Sequence, residues 1–200
     1  MDGVDEVLGN KNVAFAVTRP PGHHAVKSNS MGFCIFNFAV GAANYALSKG
    51  LNRIAIIDFD VHFGNGVADL VSSNPKIRYS SMHQYGIFPN EGKGGFHGDN
   101  NNIFNIELPP NCNGSSYLPL FENKLIPFLK EFDPELVIVC AGFDAMAGDP
   151  LANMNLEPTD YRLISQKIKD SFGPVLFGLE GGYDLERLPL GLKESILPYI

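Results

Sequence analysis

Short apolar runs and longer mixed stretches alternate along this chain, and their periodicities predict strands and helices in turn. Arg53–Asp58 (RIAIID) and Leu136–Ala141 (LVIVCA) are almost continuously apolar, which is typical of strands buried on both faces of a sheet. Four further strands are predicted at Asn12–Val17, Ile77–Met82, Ile103–Leu108 and Pro174–Leu179.

Helices are predicted between these strands. They lie at Ile35–Ser48, Gly66–Ser72, Tyr117–Glu131 and Thr159–Ser171, with Thr159 as an N-cap, and a partial helix begins at Leu185. Gln84–Asn102 is rich in Gly and Asn and predicts a long loop of the kind that often carries function. The alternation predicts an α/β fold, in which a mainly parallel sheet is flanked by helices, and a single domain spanning residues 1–200.

Clusters of polar residues follow four of the predicted strands. The strand NVAFAV is followed by TRPPGHHA, RIAIID by FDVHFGNG, LVIVCA by GFDAMAGD, and VLFGL by EGGYD. Parallel sheets bind their ligands at the carboxyl ends of the strands. The sequence therefore predicts a functional site at that edge of the sheet.

Composition narrows the class of protein. The net charge is −7 and the pI about 5.1, which argues against a direct nucleic-acid partner because such domains carry a basic face. The first ten residues are acidic and no apolar run approaches a membrane span, so we expect no membrane association and a cytoplasmic protein, or a nuclear one in a eukaryote. The three cysteines form no CxxC pair and are expected to be reduced; they are Cys34, Cys112 and Cys140. No feature of the sequence indicates an oligomeric state.

The segment Asp58-Phe59-Asp60-Val61-His62 predicts a metal site. In an extended strand its three polar residues would face the same side, which is unfavourable for two carboxylates unless a cation lies between them. A carboxylate and an imidazole suit zinc, and Asp144 in AGFDA is the best candidate for a third ligand. The alternatives are a surface-exposed Asp and His at a strand end, and Asp144 as a helix N-cap.

Other candidates stand around this segment. His23 and His24, in a loop stiffened by two prolines, could transfer protons near neutral pH. Tyr183, after two glycines, could donate a hydrogen bond to a developing oxyanion. Phe33 and Phe88 could wall a narrow apolar channel. The alternatives are an exposed histidine pair, a tyrosine packed in the core and ordinary aromatic packing.

Five motifs together resemble a known family. RPPGHHA, GFCIFN, IDFDVHFGNG, AGFDAMAGDP and EGGYD occur in the order found in histone deacetylases and related bacterial acetoin utilization-type amidohydrolases. The resemblance runs from about Val13 to Leu185, nearly the whole chain. The EGGY form and Asn65 in FGNG are more similar to the class II branch.

The resemblance implies an arginase/deacetylase-like fold with a bound Zn²⁺ and a structural K⁺. It implies hydrolysis of the acetyl amide of acetyl-lysine, in a histone or another protein, or of an acetylated polyamine or small amine. By the same resemblance, the zinc ligands would be Asp60, His62 and Asp144, and the histidine pair would be His23 and His24, with Asp58 and Asn65 as their partners. Tyr183 would bind the oxyanion, and the acyl-lysine tunnel would be lined by Gly32, Phe33 and Phe88. The potassium ion would be bound by Asp58, Asp60, His62 and Ser81.

The chain departs from the family pattern at two places. Phe63 replaces the histidine that usually follows the metal-binding one, a position that is not a ligand. Only 22 residues precede His23, so we expect the family's N-terminal portion to be lacking, with its acidic rim residue. The missing portion leaves open a second function, that of a non-catalytic acyl-lysine-binding or scaffold module.

Two other classes of protein are disfavoured. A nucleotide-binding protein is disfavoured because GxGxxG and GxxxxGK[ST] are absent, and an arginase-like two-manganese enzyme is disfavoured because it needs more carboxylates.

Overall fold

A computed structural model describes residues 1–9 and 11–200, and within them the chain forms one seven-stranded sheet with the order β1-β7-β6-β2-β3-β5-β4. Every pairing is parallel except the edge pairing of β4 with β5. The strands are β1 Val13–Ala16, β2 Ile54–Asp58, β3 Ile77–Gln84, β4 Gly95–His97, β5 Ile103–Leu108, β6 Leu136–Ala141 and β7 Val175–Leu179. The predicted α/β architecture is confirmed.

Helices cover both faces of this sheet. They are α1 Asp2–Gly9, α2 Phe38–Ser48, α3 Asn65–Val71, α4 Gly114–Leu120, α5 Ile126–Lys130, α6 Pro158–Ser171 and α7 Leu188–Ile196. Because side chains alternate along a strand, Ala55 and Ile57 of β2 join the core layer beneath α4 to α7. Ile54 and Ile56 join the opposite layer, beneath α1 to α3.

The predicted starts of helices α2 and α6 are wrong. Helix α2 begins at Phe38 rather than Ile35, because the Asn37 side chain accepts a hydrogen bond from the backbone N–H of Val40 and caps the helix there. Helix α6 is capped by Glu157 and not by Thr159. The Asp160 carboxylate accepts from the backbone N–H of Glu157 in a reciprocal capping box.

The predicted continuous helix Tyr117–Glu131 is interrupted. It begins at Gly114, and a π-helical turn, Phe121–Leu125, separates α4 from α5. Pro127 has no N–H to donate to the preceding turn, so the regular ladder breaks next to it. Helix α7 begins at Leu188 rather than Leu185.

Two elements were not predicted at all. Helix α1 lies in the acidic N-terminal segment, where Val4 and Val7 are its buried residues. Strand β4 lies inside the predicted loop Gln84–Asn102, and its three residues are too few to show an apolar alternation. The three cysteines are buried free thiols, as expected.

The sheet order explains how the polar clusters meet. Strands β1, β7, β6 and β2 are consecutive neighbours, and all four run parallel. The clusters that follow them therefore emerge side by side from one edge of the sheet.

Candidate metal centre and its surroundings

Asp60, His62 and Asp144 form a cluster of potential metal ligands. One donor atom from each lies within 4.8 Å of the other two, and all three residues are buried. The His62 Nδ1 atom is 3.2 Å from Asp60 Oδ1 and 3.1 Å from Asp144 Oδ2. The loops after β2 and β6 thus bring distant parts of the chain to one point.

The loop after β2 is not the extended strand that the sequence predicted. Strand β2 ends at Asp58, and the chain then bends so that carboxylates accept bonds from the backbone ahead of them. Asp58 Oδ1 accepts from the N–H of Asp60 at 3.1 Å, and Asp60 Oδ1 accepts from the N–H of His62 at 2.9 Å. The bend leaves Asp58 outside the three-residue ligand cluster.

Asp144 is not a helix N-cap, since no helix follows it directly in the described chain. Its Oδ1 atom accepts from the backbone N–H of Val61 at 3.0 Å, which fixes one candidate ligand to the loop that carries the others. Burial and the negative charge of Asp60 raise the pKa of Asp144 above its usual range. The buried carboxylates of Asp60 and Asp144 together favour a positive charge between them.

The pKa of His62 reflects the same two negative charges. Burial would lower the pKa of its imidazole, but hydrogen bonds to Asp144 and Asp60 raise that pKa to about 10. One buried imidazole and two buried carboxylates match the three protein ligands of a catalytic zinc site, which keeps a fourth position open. The donor set therefore fits zinc.

Gly181 lets the backbone touch both candidate carboxylates. Its N–H donates to Asp60 Oδ2 at 2.7 Å. A Cβ atom at this position would lie 2.1 Å from Asp144 Oδ2 and 2.6 Å from Asp60 Oδ2. Any side chain here would collide with the cluster, so the first glycine after Glu180 is required for its geometry.

His23 and His24 lie next to the ligand cluster with different partners. His23 Nδ1 is 3.1 Å from Asp58 Oδ2, which also accepts a bond from the Tyr79 hydroxyl at 2.9 Å. His24 Nδ1 is 2.8 Å from the side-chain oxygen of Asn65. The two rings are 4.0 Å apart, and both residues are buried.

These partners drive the two histidines in opposite directions. Burial lowers the pKa of His24 to about 3, aided by the charge on His23. Burial also opposes charge on His23, but Asp60 and Asp58 raise the pKa of its imidazole well above 6.5. The surroundings thus favour the neutral form of His24 and the charged form of His23.

Three further predicted residues surround this pair. The Phe88 ring lies 4.9 Å from the His24 ring, and the Phe33 ring lies 5.9 Å from that of Tyr183. Both phenylalanines are exposed, at 43% and 67%, so they stand at the mouth of the site rather than in the core. A Cβ atom on Gly32 would lie 2.3 Å from His24 Cδ2, which brings this backbone against the histidine.

Tyr183 is half-buried beside the cluster. Burial raises the pKa of its phenol, and the negative charges of Asp60 and Asp144 add to that effect, so the hydroxyl keeps its proton. Phe63, where the family usually has histidine, points elsewhere. Its ring packs 4.9 Å from that of His83 and 6.5 Å from that of Tyr79.

Sequence patterns missed several residues that support the site. Glu180 is buried, and its Oε2 atom accepts from the backbone N–H groups of Gly22 and His23, at 2.6 Å and 3.0 Å. Its position directly after the apolar strand β7 was the available signal. Tyr79 lies within a strand, where a buried tyrosine is normally packing, so its contact with Asp58 gave no signal.

The fold and the site define a class: an α/β protein with a candidate divalent-metal centre at the carboxyl edge of a parallel sheet. A sequence model of the histone deacetylase domain matches residues 1–197. The chain belongs to the histone deacetylase family. Among the helices of the described residues, none combines the length and the hydropathy that a membrane span requires.

Several relatives are similar over most of this chain. It is 44% identical over 201 residues to the uncharacterized protein slr0245 of Synechocystis sp., covering 100% of this chain and 66% of that protein. It is 39% identical to histone deacetylase 14, chloroplastic, of Arabidopsis thaliana, covering 92% and 45% of the two chains. It is 41% identical to polyamine deacetylase HDAC10 of Danio rerio, covering 96% and 30%.

A solved structure shares the fold. The crystal structure of the HDA15 HD domain superposes with a TM-score of 0.91 at 32% identity, and the match covers 98% of this chain and 57% of that one. The chain thus spans between 30% and 66% of the length of these relatives.

Proposed function

We propose that this chain is a zinc-dependent deacetylase that hydrolyses the acetyl amide of acetyl-lysine, in a histone or another protein, or of an acetylated polyamine or small amine. One observation carries the proposal: donor atoms of Asp60, His62 and Asp144 converge within 4.8 Å of one another, and all three residues are buried. The histidine pair, with rings 4.0 Å apart, lies beside them. Family membership supports the same reaction.

Asp60, His62 and Asp144 are the residues that would hold the zinc ion. When bound there, zinc supplies Lewis-acid polarisation of the amide carbonyl and lowers the pKa of water. The burial of all three side chains keeps bulk water from competing for their donor atoms. The loop geometry fixes them before any ligand arrives, because their oxygens already bond to the backbone.

His24 is the proposed general base. Its Nδ1–H donates to the Asn65 oxygen, which leaves Nε2 free to accept a proton from the attacking water. His23 is the proposed source of the proton for the leaving amine. Its imidazolium is stabilised by Asp58, and its Nε2 atom lies 3.8 Å from Asp60 Oδ1.

Tyr183 is the proposed oxyanion donor, because its phenol keeps its proton and lies next to the mouth residue Phe33. Phe33 and Phe88 would flank the acyl chain, and the close backbone of Gly32 would line it. Two exposed aromatic faces suit the apolar methylene stem of lysine or a polyamine. The potassium ion that the resemblance implies at Asp58, Asp60, His62 and Ser81 stays a prediction.

The test combines metal content and turnover on one sample. We expect purified protein to hold about one zinc per chain and to release acetate from an acetyl-lysine peptide or acetylated polyamine. Tyr183→Phe should keep the zinc and lower kcat by about 10²–10³, the usual cost of losing one oxyanion donor. The substitution removes only a hydroxyl, so the ring contact with Phe33 is retained.

Three other outcomes would contradict parts of this proposal. Zinc without turnover on any of these substrates would contradict catalysis and favour the acyl-lysine-binding module. Protein that binds no zinc, or a Tyr183→Phe variant with undiminished turnover, would remove the cluster or the phenol from the mechanism.

A further inference from the structure

The peptide group that precedes Tyr183 is held at both of its polar atoms. The carbonyl oxygen of Gly182 accepts a hydrogen bond from Arg19 Nη2 at 2.9 Å. The N–H of Tyr183 donates to Asp149 Oδ2, also at 2.9 Å. One planar peptide unit therefore lies between a guanidinium and a carboxylate, and both bonds involve a charged partner, which makes them stronger than neutral ones.

Regular secondary structure does not hold this peptide. The segment between β7 and α7 belongs to no strand or helix, and Gly182 has a φ of +127°. Its orientation sets the direction of the Tyr183 side chain, because the Cα–Cβ bond leaves the backbone just beyond that peptide. A rotation of the peptide would move the phenol away from the cluster.

The two charged residues come from different loops. Arg19 follows β1, in the loop that carries the histidine pair, while Asp149 follows β6, in the loop that carries Asp144. Asp149 is buried at 6% exposure, and among the described residues it has no ion-pair partner within 4.0 Å. Within the part of the chain that the structure describes, its two oxygens accept only from backbone N–H groups, those of Tyr183 and Leu151.

We propose that Arg19 and Asp149 are positioning residues that clamp the Gly182–Tyr183 peptide and thereby aim the Tyr183 hydroxyl at the candidate metal centre. This inference rests on the proposed function, in which that hydroxyl binds the oxyanion. The clamp ties the phenol to both loops that carry the other reacting groups. It therefore fixes their relative positions before substrate binds.

The first test is kinetic and uses the full chain loaded with zinc. Asp149→Asn loses one of the two acceptors, and Arg19→Gln loses the charged donor. We expect each to lower kcat by about 10- to 100-fold, the effect of a displacement of about 1 Å, with a much smaller change in KM. Arg19→Lys keeps the charge and should recover part of the loss.

Arg53→Gln is the matched control. Like Arg19, Arg53 donates to a backbone carbonyl, that of Asp133, but it is half-buried and lies just before β2, at the amino end of that strand. Its substitution should leave kcat unchanged. Equal losses in Arg53→Gln and Arg19→Gln would show a general stability effect and overturn the proposal.

A double-mutant cycle separates positioning from plain structural support. If the clamp acts through the phenol, Asp149→Asn and Arg19→Gln should cause no further loss of kcat in a Tyr183→Phe background. If the losses in that background are as large as in the wild type, the clamp does not act through Tyr183. Clamp variants with full kcat would overturn the proposal as well.

A spectroscopic readout does not depend on turnover. The chain has seven tyrosines, so ¹⁹F NMR of protein labelled with fluorotyrosine gives resolvable signals, and Tyr183→Phe assigns one of them. We expect Arg19→Gln and Asp149→Asn to shift the Tyr183 signal toward that of the free amino acid, while Tyr45 is unchanged. A shifted signal in a chain that hydrolyses no amide would support the clamp and contradict the proposed function. An unmoved signal would contradict the clamp.

Discussion

At the scale of single residues, Gly181 is the position in the candidate centre with the least room for a side chain. We predict that Gly181→Ala removes zinc binding, because its Cβ would lie 2.1 Å from Asp144 Oδ2. Gly178→Ala is the control, since a Cβ there would meet only the Val139 carbonyl, at 3.8 Å. The zinc content of each variant after dialysis tests this prediction. Retention of zinc by Gly181→Ala would contradict the close packing of backbone and carboxylates.

His83 gives a prediction about pH. Burial lowers the pKa of its imidazole from 6.5 to about 4, and the neutral ring is satisfied by the Ser81 hydroxyl and the Gly92 carbonyl. Below about pH 6.5 the unfolded chain takes up a proton on this ring that the folded chain refuses. Stability from this group is therefore complete above about pH 6.5 and is lost as pH falls toward about 4.

The measurement compares wild type with His83→Gln by urea unfolding in the presence of a chelator. Between about pH 7.5 and about pH 5, wild type should lose about 2 kcal/mol more unfolding free energy than the variant, from the 1.36 kcal/mol per pH unit of linkage. Parallel losses in the two proteins would show that His83 titrates normally in the folded chain.

Site residues could be predicted where chemistry lies in the side-chain type. A carboxylate or imidazole after an apolar strand stood out, which brought out Asp60, His62 and Asp144. Arg19 and Asp149 lie in two of the same polar clusters, but their residue types gave no sign of their role. Near Tyr183 they bond only to backbone atoms, and a sequence does not show which peptide group lies opposite a side chain.

At the scale of elements, strands were predicted better than helix ends. Strands β2 and β6 are buried along their whole length, so a continuous apolar run defined them to within one residue. Helix starts depend on single hydrogen bonds to the capping residue, and these moved α2 and α6 from their predicted positions. Strand β4 forms only through its pairing with β5, a contact between separate parts of the chain.

The corrected cap of α6 can be tested directly. The Asp160 side chain accepts from the Glu157 N–H at 2.8 Å, so Asp160→Ala should lower the unfolding free energy by about 1 kcal/mol. Thr159→Ala lies one position away and should change it by less than about 0.5 kcal/mol. Thermal and urea unfolding of both variants measure this. A larger loss in Thr159→Ala would restore the cap predicted from the sequence.

At the scale of the whole molecule, sheet order turns four separate motifs into one site. The polar clusters are far apart in the sequence, yet strands β1, β7, β6 and β2 lie side by side. The sequence predicted a parallel sheet and the edge at which ligands bind, which was enough to group the clusters. It did not predict the strand order, because that order depends on which apolar faces pack together.

The central claim is that one imidazole and two carboxylates hold a single zinc ion. X-ray absorption at the zinc edge, on zinc-loaded protein, tests it most directly because it counts the ligand types around the metal. The account predicts one imidazole with nitrogen and oxygen neighbours at about 2.0–2.2 Å, and loss of the bound zinc in Asp144→Ala. Two or more imidazoles, or a sulfur neighbour at about 2.3 Å, would contradict it.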